Sequence, residues 1–243
     1  VFPLLGKMRN KFGLRGKSFP FDIGSDMIFC DLRDLFRIRF KYTVSSCREL
    51  PCFFESLAGL ARRYQVQIVR WRCPKQSVVK LNSDGCSRGN PGMSGGGGII
   101  RNYEGRFLLG FSCFFGELTS LQAELEALLH GIRLAVDRGY SALHIESDSL
   151  VLVQIIRGTV RCPWQLQRGL QEVLNAKGLL REISHCFREA NRPADRLANV
   201  GVDAGFNSTY VSFSELPCLV RGDVNLDRLG VPNIRRSRAS LAC

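Results

Sequence analysis

The order of the periodic segments over residues 78–205 constrains the fold more than any other feature of the sequence. Three apolar segments with strand-like alternation come first. Segments with helical and strand-like periodicity then alternate, and the longest helical pattern covers residues 119–138. A sheet with helices on its faces is the layered architecture that accommodates this order. The segment order therefore predicts an α/β domain built on a mixed sheet.

The glycine-rich stretch at residues 82–100, NSDGCSRGNPGMSGGGGII, joins the first two predicted strands. It holds no lysine and leads into a strand, so it lacks the features of a phosphate-binding or dinucleotide-binding loop. The remaining interpretation is a hairpin whose first strand ends in Asp84-Gly85, although an Asp-Gly pair is also typical of a simple turn. Glycines at 95–98 allow close approach of another backbone, either a nucleic-acid strand or a neighbouring helix.

Four acidic residues lie on four different predicted elements. They are Asp84 on the first strand, Glu124 in the first helix, Asp148 after the fourth strand and Asp195 in the last helix. Taken singly, each has an ordinary explanation, such as a helix N-cap for Asp148. Mg²⁺ prefers oxygen ligands, and two such ions around a phosphate are a standard arrangement for hydrolysing nucleic-acid backbones. The four acids together therefore favour a metal-dependent phosphodiester chemistry.

The first predicted helix places two neighbouring glutamates in different environments. Its apolar stripe consists of Leu121, Leu125, Leu128, Ile132 and Ala135. Glu124 lies at the margin of this stripe, where an unpaired buried charge is unfavourable unless a cation compensates it. Glu126 lies on the solvated side, beside His130 and Arg133. We therefore expect Glu124 to be functional, unless its side chain reaches solvent, and Glu126 to be an ordinary surface residue.

Four motifs of the chain resemble the ribonuclease H domain in their order and spacing. They are SDGCSRGNPG (83–92), AELEAL (123–128), IESDS (145–149) and HCFREANRPADRLAN (185–199). They are most similar to the version found at the end of plant non-LTR retrotransposon reverse transcriptases and in related stand-alone proteins. The chain then divides into a basic N-terminal flank (1–77), a ribonuclease H-like domain (78–205) and an extended basic C-terminal tail (206–243).

The resemblance implies a fold and an activity. The fold would be a five-stranded mixed sheet in the order 3-2-1-4-5, with strands 1–3 antiparallel, strands 4 and 5 parallel and helices on both faces. The activity would be endonucleolytic hydrolysis of the RNA strand of RNA–DNA hybrids by two Mg²⁺ ions, with Mn²⁺ as a substitute. The RNA–DNA hybrid would be the partner, and a retrotransposon origin would make the chain part of a longer polyprotein.

The resemblance also implies roles for individual residues. Asp84 would bridge the two metal ions. Glu124 and Asp148 would complete that side of the site, and Asp195 would hold the metal that activates the attacking water. His185 matches the loop histidine that assists proton transfer or product release in the family, unless it is simply a surface residue at a strand end.

The substrate contacts implied by the resemblance are incomplete. Asn90 matches a substrate-contacting asparagine. Ahead of the helix glutamate, many active relatives carry asparagine or glutamine that reads the minor groove and its 2′-hydroxyls; here Ser120 and Gln122 remain as candidates. Residues 157–166 are too few to hold the basic handle helix with which some relatives grip the duplex. We therefore expect intact catalysis with substrate affinity weakened or delegated to the flanks.

Positive charge is concentrated ahead of the predicted domain. Residues 1–77 hold 15 Lys and Arg against 6 Asp and Glu, whereas residues 78–206 hold 14 against 13. A basic flank favours polyanions, because binding releases their counterions. The alternative is a merely solvated positive segment. Nucleic acid is therefore the expected partner of this flank.

The cysteines and apolar runs indicate the compartment. None of the 10 cysteines belongs to a C-x-x-C pair, so we expect neither a zinc site nor a disulfide framework. There is no signal-peptide pattern, and no apolar run approaches the roughly 18 residues of a membrane span. These features predict an intracellular protein without a membrane segment, in either the nucleus or the cytoplasm.

Three functional hypotheses follow from the sequence. The first is an active, Mg²⁺-dependent ribonuclease H. The second is a catalytically weak or inactive nucleic-acid-binding module derived from a retrotransposon. The third is that the basic flanks mediate protein contacts. The presence of all four acids favours the first, since loss of any one of them would have favoured the second.

Overall fold

The structure is a computed structural model that describes residues 64–238. Within it, residues 66–235 form one compact unit. The described residues include only the last part of the predicted N-terminal flank (1–77), and the rest of that flank lies outside them. Over the described residues, no helix combines the length and the apolar character needed to cross a membrane.

The central sheet has six strands in the order β6-β5-β2-β3-β4-β7. The strands are β2 (Val79–Gly89), β3 (Gly92–Arg101), β4 (Phe107–Leu118), β5 (Leu143–Ser147), β6 (Leu180–His185) and β7 (Ser208–Tyr210). β2, β3, β4 and β7 pair antiparallel in succession, whereas β5 is parallel to both β2 and β6. The predicted order 3-2-1-4-5 is confirmed for β4, β3, β2, β5 and β6, and β7 adds a short sixth strand beside β4.

The described residues also form five α-helices and a second, small sheet. The helices are α1 (Ser120–Asp137), α2 (Leu150–Ile156), α3 (Gln167–Asn175), α4 (Arg192–Ala204) and α5 (Cys218–Arg228). Short 3-10 turns at Trp164–Leu166 and Ala176–Gly178 flank α3. The second sheet pairs β1 (Tyr64–Val69) with β8 (Asn233–Arg238).

Local sequence signals explain the bounds of α1. Its N-cap is Thr119, whose hydroxyl accepts from the Gln122 backbone N–H at 3.3 Å, while the Gln122 side chain accepts from the Thr119 N–H at 3.0 Å. This reciprocal pair is a capping box. The helix ends just before Gly139, which has a φ of +72°. Its predicted apolar stripe is buried at Leu125, Leu128, Ile132 and Ala135.

Apolar side chains fill both faces of the central sheet. On one face, the cluster between the sheet and α1–α3 includes Leu81, Phe111, Leu128, Ile145 and Val173. On the other face, the cluster between the sheet and α4–α5 includes Ile99, Leu197, Leu216, Val220 and Val224. Burial of such side chains stabilises the fold by about 1.5–3 kcal/mol each. Helices therefore cover both faces of the sheet, as predicted.

The glycines at 95–98 give the helices room to approach the sheet. A Cβ added to Gly97 would lie 2.1 Å from the backbone nitrogen of Ala198 in α4. On the other face, a Cβ added to Gly96 would lie 2.6 Å from the side chain of Ala127 in α1. Of the two alternatives left open by the sequence, the structure supports the neighbouring helix.

The prediction of an extended C-terminal tail over residues 206–243 is wrong for most of the described part. β7 and α5 fold within it, and Val220 and Val224 of α5 are only 1% and 2% exposed. These two valines lie one helical turn apart and bury one face of α5 against the sheet. The compact unit, residues 66–235, is accordingly larger than the domain predicted over residues 78–205.

A buried polar network ties the segments on either side of the predicted domain to the sheet. Arg101 of β3 is fully buried, with its guanidinium 3.6 Å from the centre of the Trp71 ring. It donates to Asp227 of α5 at 2.8 Å and to Asn82 of β2 at 2.7 Å. The Trp71 indole N–H donates to the same Asn82 oxygen at 2.9 Å. A buried charge is tolerated only when it is paired, so these partners allow Arg101 to lie inside.

Candidate active site

Three acidic side chains from three elements meet at the end of the sheet where β5 stops. Asp84 lies on β2, Glu124 lies in the second turn of α1, and Asp148 directly follows β5. One carboxylate oxygen from each lies within 4.8 Å of the other two. The strand register explains why Asp84 and Asp148 are neighbours. β2 and β5 are parallel with Ser83 opposite Ser147, so the residues that follow these two serines lie side by side.

Gly85 allows α1 to come close enough to complete this group. A Cβ at Gly85 would lie 2.2 Å from the Glu124 backbone nitrogen, a distance that no side chain can tolerate. The Gly85 N–H donates to Glu124 Oε2 at 3.2 Å. Asp84 and Gly85 both lie inside β2, which continues to Gly89. The interpretation of this Asp-Gly pair as a turn or a strand end is therefore wrong, because the glycine is required by the helix above it.

Burial and mutual repulsion dominate the electrostatics of the three acids, and the charge of Arg188 offsets them only partly at Glu124. Burial, followed by the charges of Glu124 and Asp148, raises the pKa of Asp84 well above its ordinary value. Burial and then the Asp148 charge raise the pKa of Glu124 to about 8, although the Gly85 N–H opposes this. Among the described side chains, no lysine or arginine forms an ion pair with any of the three acids.

This donor set fits a hard divalent cation. Carboxylate oxygens are the ligands that Mg²⁺ prefers, and a cation would supply the directly paired positive charge that the described side chains do not. The three acids also come from three elements of a packed core, so their separation is fixed by the fold. The predicted metal ligands Asp84, Glu124 and Asp148 are thus brought together by the structure.

The fourth predicted acid, Asp195, stands apart from this cluster. It lies in the first turn of α4, and its side chain is 24% exposed. Its Oδ1 accepts from the Arg188 guanidinium at 2.5 Å. Its charge still contributes, as a smaller cause, to the raised pKa of Asp84. Arg188 did not stand out in the sequence, although it lies within the HCFREANRPADRLAN motif.

Asn191 is a second site residue that sequence reasoning passed over. It is fully buried at the start of α4. Its side-chain amide donates to the Ser83 carbonyl at 3.0 Å and to Asp148 Oδ1 at 3.3 Å. It therefore links α4 to β2 beside Asp84 and also fixes the Asp148 carboxylate. Its amide oxygen has no hydrogen-bond partner within the described residues.

His185 ends β6, opposite Ser147 of β5. Its ring stands edge-on to Phe187, with 5.7 Å between the ring centres. In the part of the chain that the structure describes, the ring makes no hydrogen bond or ion pair with the four acids. A role for His185 in proton transfer or product release stays a prediction.

The predicted substrate-binding residues lie around the N-terminus of α1. The Asn90 side chain accepts from the Ser120 backbone N–H at 3.1 Å, which joins the β2–β3 hairpin to the start of the helix. The Gln122 side-chain oxygen is engaged in the capping box, whereas its amide N–H groups have no partner within the described residues. The three residues are therefore neighbours, but Asn90 and Gln122 also have structural roles.

Glu126, expected to be a surface residue, lies away from the acid cluster. It lines a groove between α1 and α3 together with Arg133 and Glu172. Arg133, which the sequence places beside Glu126, donates two hydrogen bonds of 2.6 and 2.8 Å to Glu172.

Comparisons with known proteins agree with this geometry. The family described as reverse transcriptase-like matches residues 82–201. An Arabidopsis thaliana protein named for ribonuclease H is 33% identical over 184 residues, covering 75% of this chain and 29% of the relative. Ribonuclease HI of Halobacterium salinarum is 29% identical over 127 residues, covering 49% of this chain and 62% of the relative. The chain thus spans less than two thirds of either relative.

Solved structures of RNase H1 proteins are also similar to this chain. RNase H1 of Halobacterium salinarum is similar with a TM-score of 0.51 and 28% identity, covering 52% of this chain and 98% of that chain. LC11-RNase H1, solved in complex with an RNA/DNA hybrid, gives a TM-score of 0.50 and 27% identity over 52% of this chain and 98% of that chain. The similarity spans nearly the whole of each solved chain and about half of this one.

Proposed function

Residues 82–201 belong to the reverse transcriptase-like family and adopt the ribonuclease H fold, and from this premise we propose that the protein hydrolyses the RNA strand of RNA–DNA hybrids. The reaction would be an endonucleolytic cleavage that depends on a divalent cation. The observation that carries the proposal is the approach of the Asp84, Glu124 and Asp148 carboxylates to within 4.8 Å.

The proposed metal ligands are the three clustered acids, with Asp195 as a fourth acid beside them. We propose two Mg²⁺ ions, with Mn²⁺ as a functional substitute, because hard divalent cations take carboxylate oxygens. When bound, the metal would lower the pKa of a water molecule and neutralise charge on the phosphate. Burial raises the pKa values of Asp84 and Glu124, so these two acids gain more from a bound cation than solvated acids do.

Residues of the chain itself orient these acids before any substrate arrives. The Gly85 N–H holds the Glu124 carboxylate, and the Asn191 amide holds the carboxylate of Asp148. Preorganisation of this kind reduces the reorganisation needed during reaction. Arg188 restrains Asp195 and places a guanidinium at the rim of the site, where it can pair with a substrate phosphate.

The substrate would cross the N-terminus of α1. Asn90, Ser120 and Gln122 lie there, beside the hairpin that follows Asp84. Their polar groups are suited to the 2′-hydroxyls and base edges of the wide minor groove of an RNA-containing duplex. His185, at the end of β6, would assist proton transfer or product release.

The test is cleavage of an RNA–DNA hybrid, labelled on its RNA strand, by the full chain in Mg²⁺ and in EDTA. We expect internal cuts in the RNA that leave 3′-hydroxyl and 5′-phosphate ends, in Mg²⁺ only. Single-stranded RNA and duplex DNA should stay intact. Tight binding of the hybrid without cleavage at saturating Mg²⁺ would contradict the proposal and would fit an inactive nucleic-acid-binding module.

A further inference from the structure

The segment from Val69 to Arg72, which precedes the predicted domain, alternates sharply in burial. Val69 and Trp71 are each 5% exposed, whereas Arg70 and Arg72 are exposed. Extended backbone directs successive side chains to opposite sides. One side of this segment is therefore anchored in the protein, and its other side presents two arginines to solvent.

The anchored side packs on the β6–α4 loop (residues 186–191). Val69 and Trp71 form a cluster with Ala190, and Phe187 packs against it. The same loop carries Arg188, which contacts Asp195. The segment that holds Arg70 and Arg72 is thus in direct contact with the loop that borders the proposed active site.

The same segment borders an open groove of about 370 Å³. The groove is lined by Gln67, Ile68, Val69, Arg70, Arg72 and Phe187. None of these residues is acidic. Neither Arg70 nor Arg72 forms an ion pair with any of the described residues. An open groove lined by two arginines and by no acidic residue is complementary to a polyanion.

The groove is held in a fixed shape. The Arg72 carbonyl accepts from Lys80 Nζ at 2.7 Å, which fixes the arginine segment to β2. At Phe187, which also lines the groove, the Arg235 guanidinium lies 4.4 Å from the ring centre and pairs with Glu189 at 3.0 Å. Arginines on a restrained backbone lose less conformational freedom when they bind a phosphate.

We propose that Arg70 and Arg72 form a phosphate-binding subsite that holds the sugar-phosphate backbone of the RNA–DNA hybrid beside the β6–α4 loop. This inference rests on the proposed function for its substrate class. The proposed subsite would contribute to duplex binding from a segment that precedes residue 78. Residues 78–206 are almost neutral, with 14 basic and 13 acidic residues. The connection between α2 and α3 is too short for a basic handle helix.

The test is equilibrium binding of a fluorescein-labelled RNA–DNA hybrid to the full chain in EDTA, followed by anisotropy over a range of salt concentrations. The variant is Arg70→Gln combined with Arg72→Gln. The matched control, Arg138→Gln combined with Arg181→Gln, removes the same charge from two exposed positions. Arg138 follows α1, and Arg181 lies at the start of β6, at the opposite end of that strand from the β6–α4 loop.

Loss of each phosphate contact lowers the log–log slope of affinity against salt by ~0.9. From about 50 to 200 mM salt, the variant should therefore lose about 12-fold less affinity than wild type if two contacts are removed. It should also bind more weakly at low salt, while the control keeps the wild-type slope. A combined Arg70→Lys and Arg72→Lys variant keeps both charges and should retain the slope.

Wild-type affinity and slope in the Gln variant would overturn the subsite. The subsite would also be overturned if the Lys variant showed the same reduced salt dependence of affinity as the Gln variant. The reduction would then not result from loss of positive charge. If the wild-type chain shows the expected binding but does not cut the hybrid in Mg²⁺, the proposed function fails while the subsite stands.

Discussion

The backbone N–H of Gly85 donates to the Glu124 carboxylate at 3.2 Å, and a Cβ at this glycine would lie 2.2 Å from the Glu124 backbone nitrogen. Contact between these two residues brings α1 against β2 next to Asp84. Because a Cβ at Gly85 would meet the backbone of α1, this close approach depends on the absence of a side chain at residue 85. Gly85, the residue that follows Asp84, therefore sets the position of Glu124.

We expect Gly85→Ala to lower both stability and activity. The added methyl group must push α1 away from β2, and overpacking of this kind destabilises proteins by about 1–3 kcal/mol. Chemical denaturation and hybrid cleavage measure the two effects. Gly222→Ala is the matched control, because Gly222 is an exposed residue of α5 with open space at its Cβ. Equal stability of the two variants would contradict the assignment of Gly85 as the contact point.

Asp84→Asn should abolish cleavage and leave the fold intact. The amide has the shape of the carboxylate but cannot supply the negative charge that a cation requires. Burial and the charges of Glu124 and Asp148 raise the pKa of Asp84, so a neutral side chain should also keep or raise the melting temperature in EDTA at neutral pH. Cleavage at the wild-type rate in saturating Mg²⁺ would show that Asp84 is not a metal ligand.

Glu124 and Glu126, two residues apart on α1, provide a matched pair of substitutions. Glu124→Gln should reduce the cleavage rate by more than ~100-fold, because even the residues that support metal ligands contribute about 10- to 100-fold. Glu126→Gln should leave the rate near wild type, since Glu126 lies outside the acid cluster. Single-turnover rates at saturating Mg²⁺ measure both. The opposite outcome would place the wrong face of α1 at the site.

In the metal-free protein, the acid cluster should disfavour folding increasingly as the pH rises from 4.5 towards about 8. The pKa of Glu124 is raised from 4.5 to about 8, chiefly by burial and then by the Asp148 charge. In this range Glu124 binds more protons in the folded state than in the unfolded state, so its contribution to stability falls with pH. Mg²⁺ displaces those protons and should restore stability most strongly at the upper end.

Melting curves in EDTA and in Mg²⁺ across this pH range test the expectation. Glu124→Gln should reduce the pH dependence in EDTA, because it removes one of the groups whose pKa is raised. Curves in EDTA and in Mg²⁺ that run parallel over the whole range would contradict a metal at this cluster.

The two tryptophans of the chain allow a stability test of the buried network. Trp71 is 5% exposed and covers Arg101, whereas Trp164 is 77% exposed. Trp71→Ala should destabilise the protein by about 3–5 kcal/mol. Trp164→Ala should change stability by no more than ~0.5 kcal/mol. Similar denaturation midpoints for both variants would show that the segment before β2 contributes little to the fold.

The strands of the central sheet and the position of Glu124 could be predicted from local periodicity, whereas the strand order came from the resemblance to the ribonuclease H domain. The apolar stripe of α1 shows which side of the helix faces the sheet, and it distinguishes Glu124, which joins the acid cluster, from Glu126, which does not. Local periodicity could not show that Asp84 and Gly85 lie inside a strand. The need for a glycine at position 85 comes from the backbone of α1, which is distant in the sequence.

The folded C-terminal segment was missed for a related reason. Asp223 and Asp227 of α5 are 5% and 8% exposed, yet acidic residues in a polar segment are ordinarily solvated. Their burial depends on distant arginines: Asp223 pairs with Arg192 and Arg196 of α4, and Asp227 pairs with Arg101 of β3. Such pairings over long sequence separations leave no local pattern.

The pairing of Arg101 with Trp71 and Asp227 has a consequence for how this module can be exchanged between proteins. A recombination breakpoint at residue 78 or residue 205 would carry Arg101 into the new host without its indole cover or its carboxylate. The transplanted core would then hold a buried cation with most of its partners missing. Chimeras joined near residues 66 and 235 should fold, whereas grafts of the shorter core should require compensating changes at Arg101.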